Sequence, residues 1–205
     1  MLGDPESYQD LLRTFYRTVT RADQAVGEIL AALDRLELDD NTVVIYSSDH
    51  GSLLGDHGLT GKWLMYENSI RVPLIVHDPR PSQLLAKTRN ELVLSLDIPA
   101  TIVALAGLPV PESMDGKDLM PLVRNEPPPW RPSFYYEHTY TPEKESNRPP
   151  LPRTQGVRGK RWKYVRFPDQ EPVYEQLFDL QNDPYFHNNL IGASEHQPIA
   201  NELRS

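Results

Sequence analysis

The sequence predicts an α/β fold: part of a mixed sheet flanked by helices, followed by a small C-terminal antiparallel sheet subdomain. Three observations predict it. A long apolar stripe at helical period runs directly into a β-branched strand. Helix, strand, loop, strand and helix then succeed one another through the first half. Beyond a proline-rich stretch, two runs alternate in polarity at period two.

The first element spans about Asp4 to Leu36. Asp4 is a capping residue, Pro5 suits the first helical position, and Glu6 complements the helix dipole. Leu12, Phe15, Val19, Ala22, Val26, Ile29 and Leu33 recur at steps of three and four, giving one stripe that packs on a larger body. Asp39-Asp40-Asn41 makes a turn into the strand Thr42–Ser47, whose nearly continuous apolar run suits a central strand covered on both faces. A polar, glycine-punctuated loop follows from Asp49 to Lys62, then a strand from Arg71 to His77. Asp97 to Gly107 is helical, with the glycine as its stop. From Pro127 to Pro152, proline clusters around the aromatic strand Phe134-Tyr135-Tyr136 predict an irregular surface excursion. Gln155 to Phe167 and Val173 to Leu180 read as antiparallel strands, and the tail to Ser205 has no assigned element. The division expected is therefore an α/β core over residues 1–126, a proline-rich connection over 127–152, and a small antiparallel subdomain over 153–205.

A chain of 205 residues buries one core, or one core with a small appended subdomain. With 39% apolar and 24% charged residues it falls in the range of soluble globular proteins. The net charge of −8 provides no basic excess to neutralise phosphates, so nucleic acid is not an expected partner. No run is long and apolar enough to span a bilayer, and the start lacks a basic region followed by an apolar one, so no signal peptide is expected. Cysteine is absent, which excludes disulfides, thiolate metal sites and a cysteine nucleophile within these residues.

The chemistry concentrates in Ser47-Ser48-Asp49-His50-Gly51, running on to Lys62. Asp49 and His50 lie just past the C-terminal end of a strand, the edge at which open α/β sheets bind ligands. A carboxylate and an imidazole side by side suit one divalent cation; the oxygen favours calcium, magnesium or manganese and the imidazole a transition metal. An Asp after a strand is equally a turn former. A phosphate-loop reading of the glycine-lysine ending fails, because Asp56 stands where that pattern needs glycine and Trp63 where it needs a hydroxyl. Residue chemistry alone leaves a metal site beside a cationic group, or a turn.

The motifs Ser48-Asp49-His50-Gly51, Leu54-Gly55-Asp56-His57-Gly58, Gly61-Lys62, Met65-Tyr66-Glu67 and Arg71-Val72-Pro73-Leu74-Ile75 resemble the sulfatase family of the alkaline phosphatase superfamily in order and spacing. Ser95-Leu96-Asp97-Ile98-Pro99-Ala100-Thr101, Asp115-Gly116-Lys117-Asp118-Leu119 and Glu175-Gln176-Leu177-Phe178-Asp179-Leu180, with Asp183-Pro184 and Asn189-Leu190, extend the resemblance over nearly the whole chain. It implies that Asp49 and His50 are two ligands of a catalytic calcium, with magnesium or manganese as substitutes. It implies that Lys62, thirteen positions after Asp49, contacts the sulfate and stabilises the leaving oxygen. His57 stands between substrate contact and loop scaffolding. The resemblance covers the C-terminal half of the family only. The two leading aspartates and the Cys/Ser-x-Pro-x-Arg motif that yields the formylglycine nucleophile match nothing here, since no serine is followed by x-Pro-x-Arg. The missing N-terminal half of the same fold is thus an expected partner, and the chain alone is expected to be inactive. A periplasmic, lysosomal or secreted location is what the family implies.

Three functions follow as expectations: a sulfuric ester hydrolase acting on a sulfated small molecule or glycan, a phosphonate or phosphate monoester hydrolase of the same superfamily, or a non-catalytic fragment. Aromatic and basic residues between Phe134 and Arg166 suggest either a solvated basic hairpin with aromatics packed beneath it or a specificity region. Tyr135, Tyr136 and Tyr140 belong to it, and His138, then Arg158, are the expected substrate contacts.

Overall fold

The computed structural model describes residues 4–80, 88–126, 128–139 and 151–204. Tyr140 and part of the expected excursion, residues 127 and 140–150, lie outside the described residues. The chain divides into two compact units, one of residues 1–62 and 67–86, the other of 63–66 and 87–205. The division expected over 127–152 is not where the units part. The strands on either side of the proline-rich run pair with each other, which keeps both in one unit.

In the first unit, helix α1 runs Pro5–Arg35. The Asp4 carboxylate accepts from the Glu6 and Ser7 backbone N–H groups at 2.9 and 3.0 Å, satisfying two donors that have no intrahelical partner. Those bonds hold its pKa below the ordinary carboxylate range. The predicted helix is therefore present, with its cap. Its burial is not: no residue of α1 is buried, and Val19 and Ile29 are 50% and 61% exposed. Strand β1, Val44–Ser47, pairs antiparallel with β4, Leu74–His77, with Val44 opposite His77 and Ser47 opposite Leu74. Ser47 Oγ also donates to the Pro73 carbonyl at 3.0 Å, closing the end of the pair that leads into the Asp49 loop. β1 is not a central strand among the described residues, where its only ladder partner is β4, and it is half-buried with Tyr46 exposed. Between β1 and β4 lie a small hairpin of β2 (Leu53–Leu54) with β3 (Thr60–Gly61), and the single turn of α2 (Glu67–Ile70).

The second unit begins with α3, Asp97–Leu105, and α4, Met120–Val123. Asp97, wholly buried, is the hub of this region. Its two oxygens take both guanidinium nitrogens of Arg131 at 2.6 Å and the Leu94 and Lys117 N–H groups at 2.8 Å. A buried carboxylate is tolerable only when its lone pairs are occupied in this way. Gly116 permits the approach, because a Cβ there would run into the Leu96 carbonyl.

The rest is a four-stranded antiparallel sheet in the order β5-β6-β7-β8: Ser133–His138, Thr154–Gly159, Trp162–Phe167 and Tyr174–Asp179. The sequence reading took β6 and β7 as one run; a turn at Lys160 and Arg161 folds it into a hairpin. Helix α5, Gln197–Arg204, lies in the unassigned tail. It covers one sheet face with Tyr164, Leu177 and Ala200 at the centre and Trp162, Leu190, Ile191, Ile199 and Leu203 around them. Leu177 is completely buried, which contributes about 1.5–3 kcal/mol for a side chain of its size. Arg204 locks the helix down with a bidentate pair to Glu175 at 2.7 Å, and the Tyr164 hydroxyl donates to the same carboxylate.

Candidate functional site

Asp49 and His50 leave the C-terminal end of β1, as predicted. Their loop is fixed by its own backbone. The Gly51 N–H donates to the Ser69 carbonyl of α2 at 2.8 Å, and a Cβ on Gly51 would collide with the Asn68 carbonyl. Ser48 Oγ donates to the His50 carbonyl at 3.0 Å, and the Asp49 carboxylate accepts from the His50 N–H at 2.9 Å. Buried Leu53 anchors the outgoing chain, and the hairpin β2–β3 returns it to Lys62, with Gly55 and Gly61 in the left-handed region that such a tight return needs.

The imidazole has a definite orientation. His50 Nδ1 lies 2.8 Å from the Gly51 carbonyl oxygen, which can only accept. Nδ1 therefore carries the ring proton and Nε2 presents a lone pair, an assignment made from the hydrogen-bond network. Asp49 Oδ2 lies 3.2 Å from Nε2. In the neutral ring this contact is not a hydrogen bond: the carboxylate and the Nε2 lone pair face each other, an arrangement that suits a cation between or beside them. Lys62 supplies one, its Nζ lying within hydrogen-bond distance of His50 Nε2.

The pair fits a divalent cation on this geometry. Two ligands at right angles about one cation stand about 3 Å apart for bonds of about 2.0–2.2 Å and about 3.4 Å apart for bonds of about 2.4 Å, a range that includes the 3.2 Å between Asp49 Oδ2 and Nε2. The Nδ1–H bond to a backbone carbonyl is the support that orients ligating imidazoles. The Asp49 side chain is 81% exposed and that of His50 40%, so a cation reaches both from solvent. Among the described residues no group of three or more His, Asp or Glu side chains gathers, so two ligands are what this region offers.

The structure brings Asp49, His50 and Lys62 together. His57 sits in the exposed turn between β2 and β3 with φ +55°, a left-handed conformation uncommon for a side-chain-bearing residue. His138 and Arg158 belong to the second unit. His138 is not on an open surface: at the end of β5 it is 7% exposed, its ring 5.3 Å from that of Trp63. Arg158, on β6, is partly buried, and its Nη1 donates to the Gly159 carbonyl at 2.9 Å. The sequence reading passed over Trp63, whose only signal was its place next to Lys62. It sits at φ +89° with its carbonyl accepting from the Tyr136 hydroxyl at 2.8 Å.

Comparison with known proteins places these residues in a wider context. A family model of the N-sulphoglucosamine sulphohydrolase C-terminal region matches residues 55–205. The chain is 32% identical over 199 residues to N-acetylglucosamine-6-O-sulfatase of Bacteroides thetaiotaomicron, covering 96% of this chain and 35% of that protein. It is 35% identical over 185 residues to human arylsulfatase K, covering 84% of this chain and 32% of the relative. The chain thus spans about a third of the length of these relatives. A solved structure of a protein in complex with its substrate, D-glucosamine-2-N,6-O-disulfate, superposes with a TM-score of 0.82 at 30% identity, over 99% of this chain and 41% of that one.

Proposed function

This chain belongs to the sulfatase family, whose C-terminal part it matches, and we propose that it carries half of the cation site and the sulfate-binding lysine of a sulfuric ester hydrolase. The observation that carries the reading is the convergence on His50 Nε2 of Asp49 Oδ2 at 3.2 Å and of Lys62 Nζ. Asp49 and His50 Nε2 would hold a divalent cation, calcium by family resemblance, with magnesium or manganese as substitutes. When bound, that cation supplies charge stabilisation to an anionic oxygen and to the attacking group.

The chain's own residues then have separate tasks. Asp49 contributes the negative charge that retains the cation. His50, held by Gly51 in the tautomer with Nε2 unprotonated, contributes a neutral ligand. Lys62 cannot donate to the Nε2 lone pair while that lone pair ligates, and its ammonium would then donate to a sulfate oxygen. There it offsets the charge that grows on the leaving oxygen as the S–O bond breaks, worth a hundredfold or more in rate for a well-placed donor. The nucleophile, a formylglycine in this family, must come from outside these 205 residues, which contain neither cysteine nor a Ser-x-Pro-x-Arg run.

A sulfated amino sugar is the substrate class the relatives support, one being an N-acetylglucosamine-6-O-sulfatase and another a protein bound to a disulfated glucosamine. The test is direct. Turnover of an aryl sulfate, an aryl phosphonate and glucosamine 6-O-sulfate should favour the sulfates and disappear with chelator. Preference for the phosphonate would replace this reading with phosphonate monoester hydrolysis. For residues 1–205 alone, calorimetry should detect weak calcium or manganese binding with no turnover.

A further inference from the structure

The unit that contains the four-stranded sheet includes four residues from far earlier in the chain, Trp63–Tyr66. They are packed against the sheet face opposite α5. The Tyr136 hydroxyl donates to the Trp63 carbonyl at 2.8 Å, and the Trp63 ring lies 5.3 Å from the His138 ring at an interplanar angle of 36°. Met65 is 3% exposed and meets Gly156 of β6 so closely that a Cβ there would strike its sulfur. The Tyr66 ring meets the edge of Phe186 at 6.1 Å. Every second side chain of β5, from Tyr136 to His138, is thus engaged with Trp63.

Trp63 also has an unusual backbone. A φ of +89° is a conformation that glycine adopts freely and that a bulky residue adopts only when its surroundings enforce it. The Tyr136 hydrogen bond and the tilted contact with the His138 ring are among those surroundings. Burial raises the Tyr136 pKa, so its hydroxyl keeps its proton and remains a donor. The residue immediately before Trp63, joined to it by one planar peptide, is Lys62.

We propose that Tyr136 and His138 are positioning residues for Lys62: by clamping the carbonyl and ring of Trp63 they fix its Cα and N and hold its φ at +89°, and so set the 62–63 peptide from which the lysine leaves the backbone. The proposal rests on the role assigned above to Lys62. The clamped carbonyl lies in the 63–64 peptide, so its orientation reaches Lys62 through the Trp63 φ of +89° and then through the planar 62–63 peptide, whose six atoms move as a unit. The clamp therefore acts on a catalytic ammonium without touching substrate. An ammonium on a four-carbon stem loses much of its electrostatic value if its root is free to swing, since a misplacement of about 1 Å costs up to a hundredfold.

The experiment is a double-mutant cycle in the active protein, with Tyr136→Phe, Lys62→Ala and the pair. Tyr136→Phe keeps the ring and deletes only the donor. It should lower kcat for an aryl sulfate about three- to tenfold, the range of one neutral hydrogen bond, with little change in KM or in calcium affinity by calorimetry. In the Lys62→Ala background the same substitution should have no further effect, because its target is already gone. Multiplicative losses would overturn the proposal and assign Tyr136 a general structural role, as would an unchanged kcat for Tyr136→Phe alone. If Lys62→Ala itself left kcat intact, the sulfate-binding role of the lysine would fall first and the clamp with it. Trp63→Gly provides a second entry to the cycle: glycine accepts φ +89° without strain but loses the ring held by His138, and its effect should also vanish without Lys62. Persistence of that effect in the Lys62→Ala background would likewise overturn the proposal.

Discussion

The two units divide labour in opposite ways. The second has a core: α5 against Tyr164 and Leu177 on one sheet face, Asp97 and Arg131 locked beneath α3, and ion pairs at the edges. The first has the candidate chemistry and little interior. Its helix buries no residue, and its larger sheet has two strands, with Ile75 60% exposed. The contrast teaches that stability and the candidate chemistry are carried by different residues here. Substitutions should therefore separate into those that unfold and those that disarm.

Asp97→Ala should be the most damaging change to stability. It leaves the Arg131 guanidinium, 10% exposed, without its carboxylate, and two N–H donors without an acceptor. Breaking a buried pair of this kind costs about 3–5 kcal/mol. Urea unfolding followed by Trp fluorescence measures it, and a loss below about 1 kcal/mol would remove the hub role. In the other unit, Lys62→Ala should lower the turnover of an active preparation about a hundredfold, about 2.7 kcal/mol in barrier height, while sparing calcium affinity and the urea midpoint. Asp49→Ala should lower calcium affinity itself. Equal loss of calcium in both variants would cancel the division between ligand and sulfate contact.

A smaller effect should appear in acid. Arg204, then Tyr164, hold the Glu175 carboxyl below its ordinary range, and Arg161 does the same for Asp179. A depressed carboxyl stabilises the fold fully above its unfolded pKa, about 4.5 for Glu175, and that contribution disappears as pH falls through the lower folded value. The urea midpoint should thus fall below about pH 4.5 in the parent protein, and Glu175→Gln should flatten that slope. Smallest of all, Val19→Ser and Ile29→Ser should change the stability of residues 1–205 by no more than about 0.5 kcal/mol, as exposed substitutions do. A cost above 2 kcal/mol would mean that the stripe of α1 is buried in solution, and the contrast between the units would narrow.

Much of this was legible in the sequence because it is local. The Asp4 cap, the strand after Thr42, the helix stop at Gly107 and the adjacency of Asp49 and His50 are each written within a few residues, and all are present. What escaped depends on distance along the chain. The stripe of α1 predicts a buried face, but periodicity reports only that the face is apolar, not what covers it. The Lys160-Arg161 turn was missed because both sides of it continue the same alternation. Nothing in Phe134–His138, where the sequence points only to a substrate contact at His138, foretells that the ring of Trp63, seventy-five positions earlier, lies against it. The tautomer of His50 was equally invisible, since it is set by where the Gly51 carbonyl turns.

The brief passage of residues 63–66 through the second unit has a practical consequence for anyone who cuts the gene. The chain crosses between units at 62/63, again at 66/67, and a third time near residue 86. A truncation that starts at residue 87 would therefore discard Trp63, Met65 and Tyr66 and bare the surface they occupy around Gly156 and Phe186. One that stops at residue 86 would leave the same three side chains without the partners that order them. The chain passes from one unit to the other three times, and no single terminus yields either of them intact. Dissection would need a loop graft that carries the tetrapeptide along with the sheet.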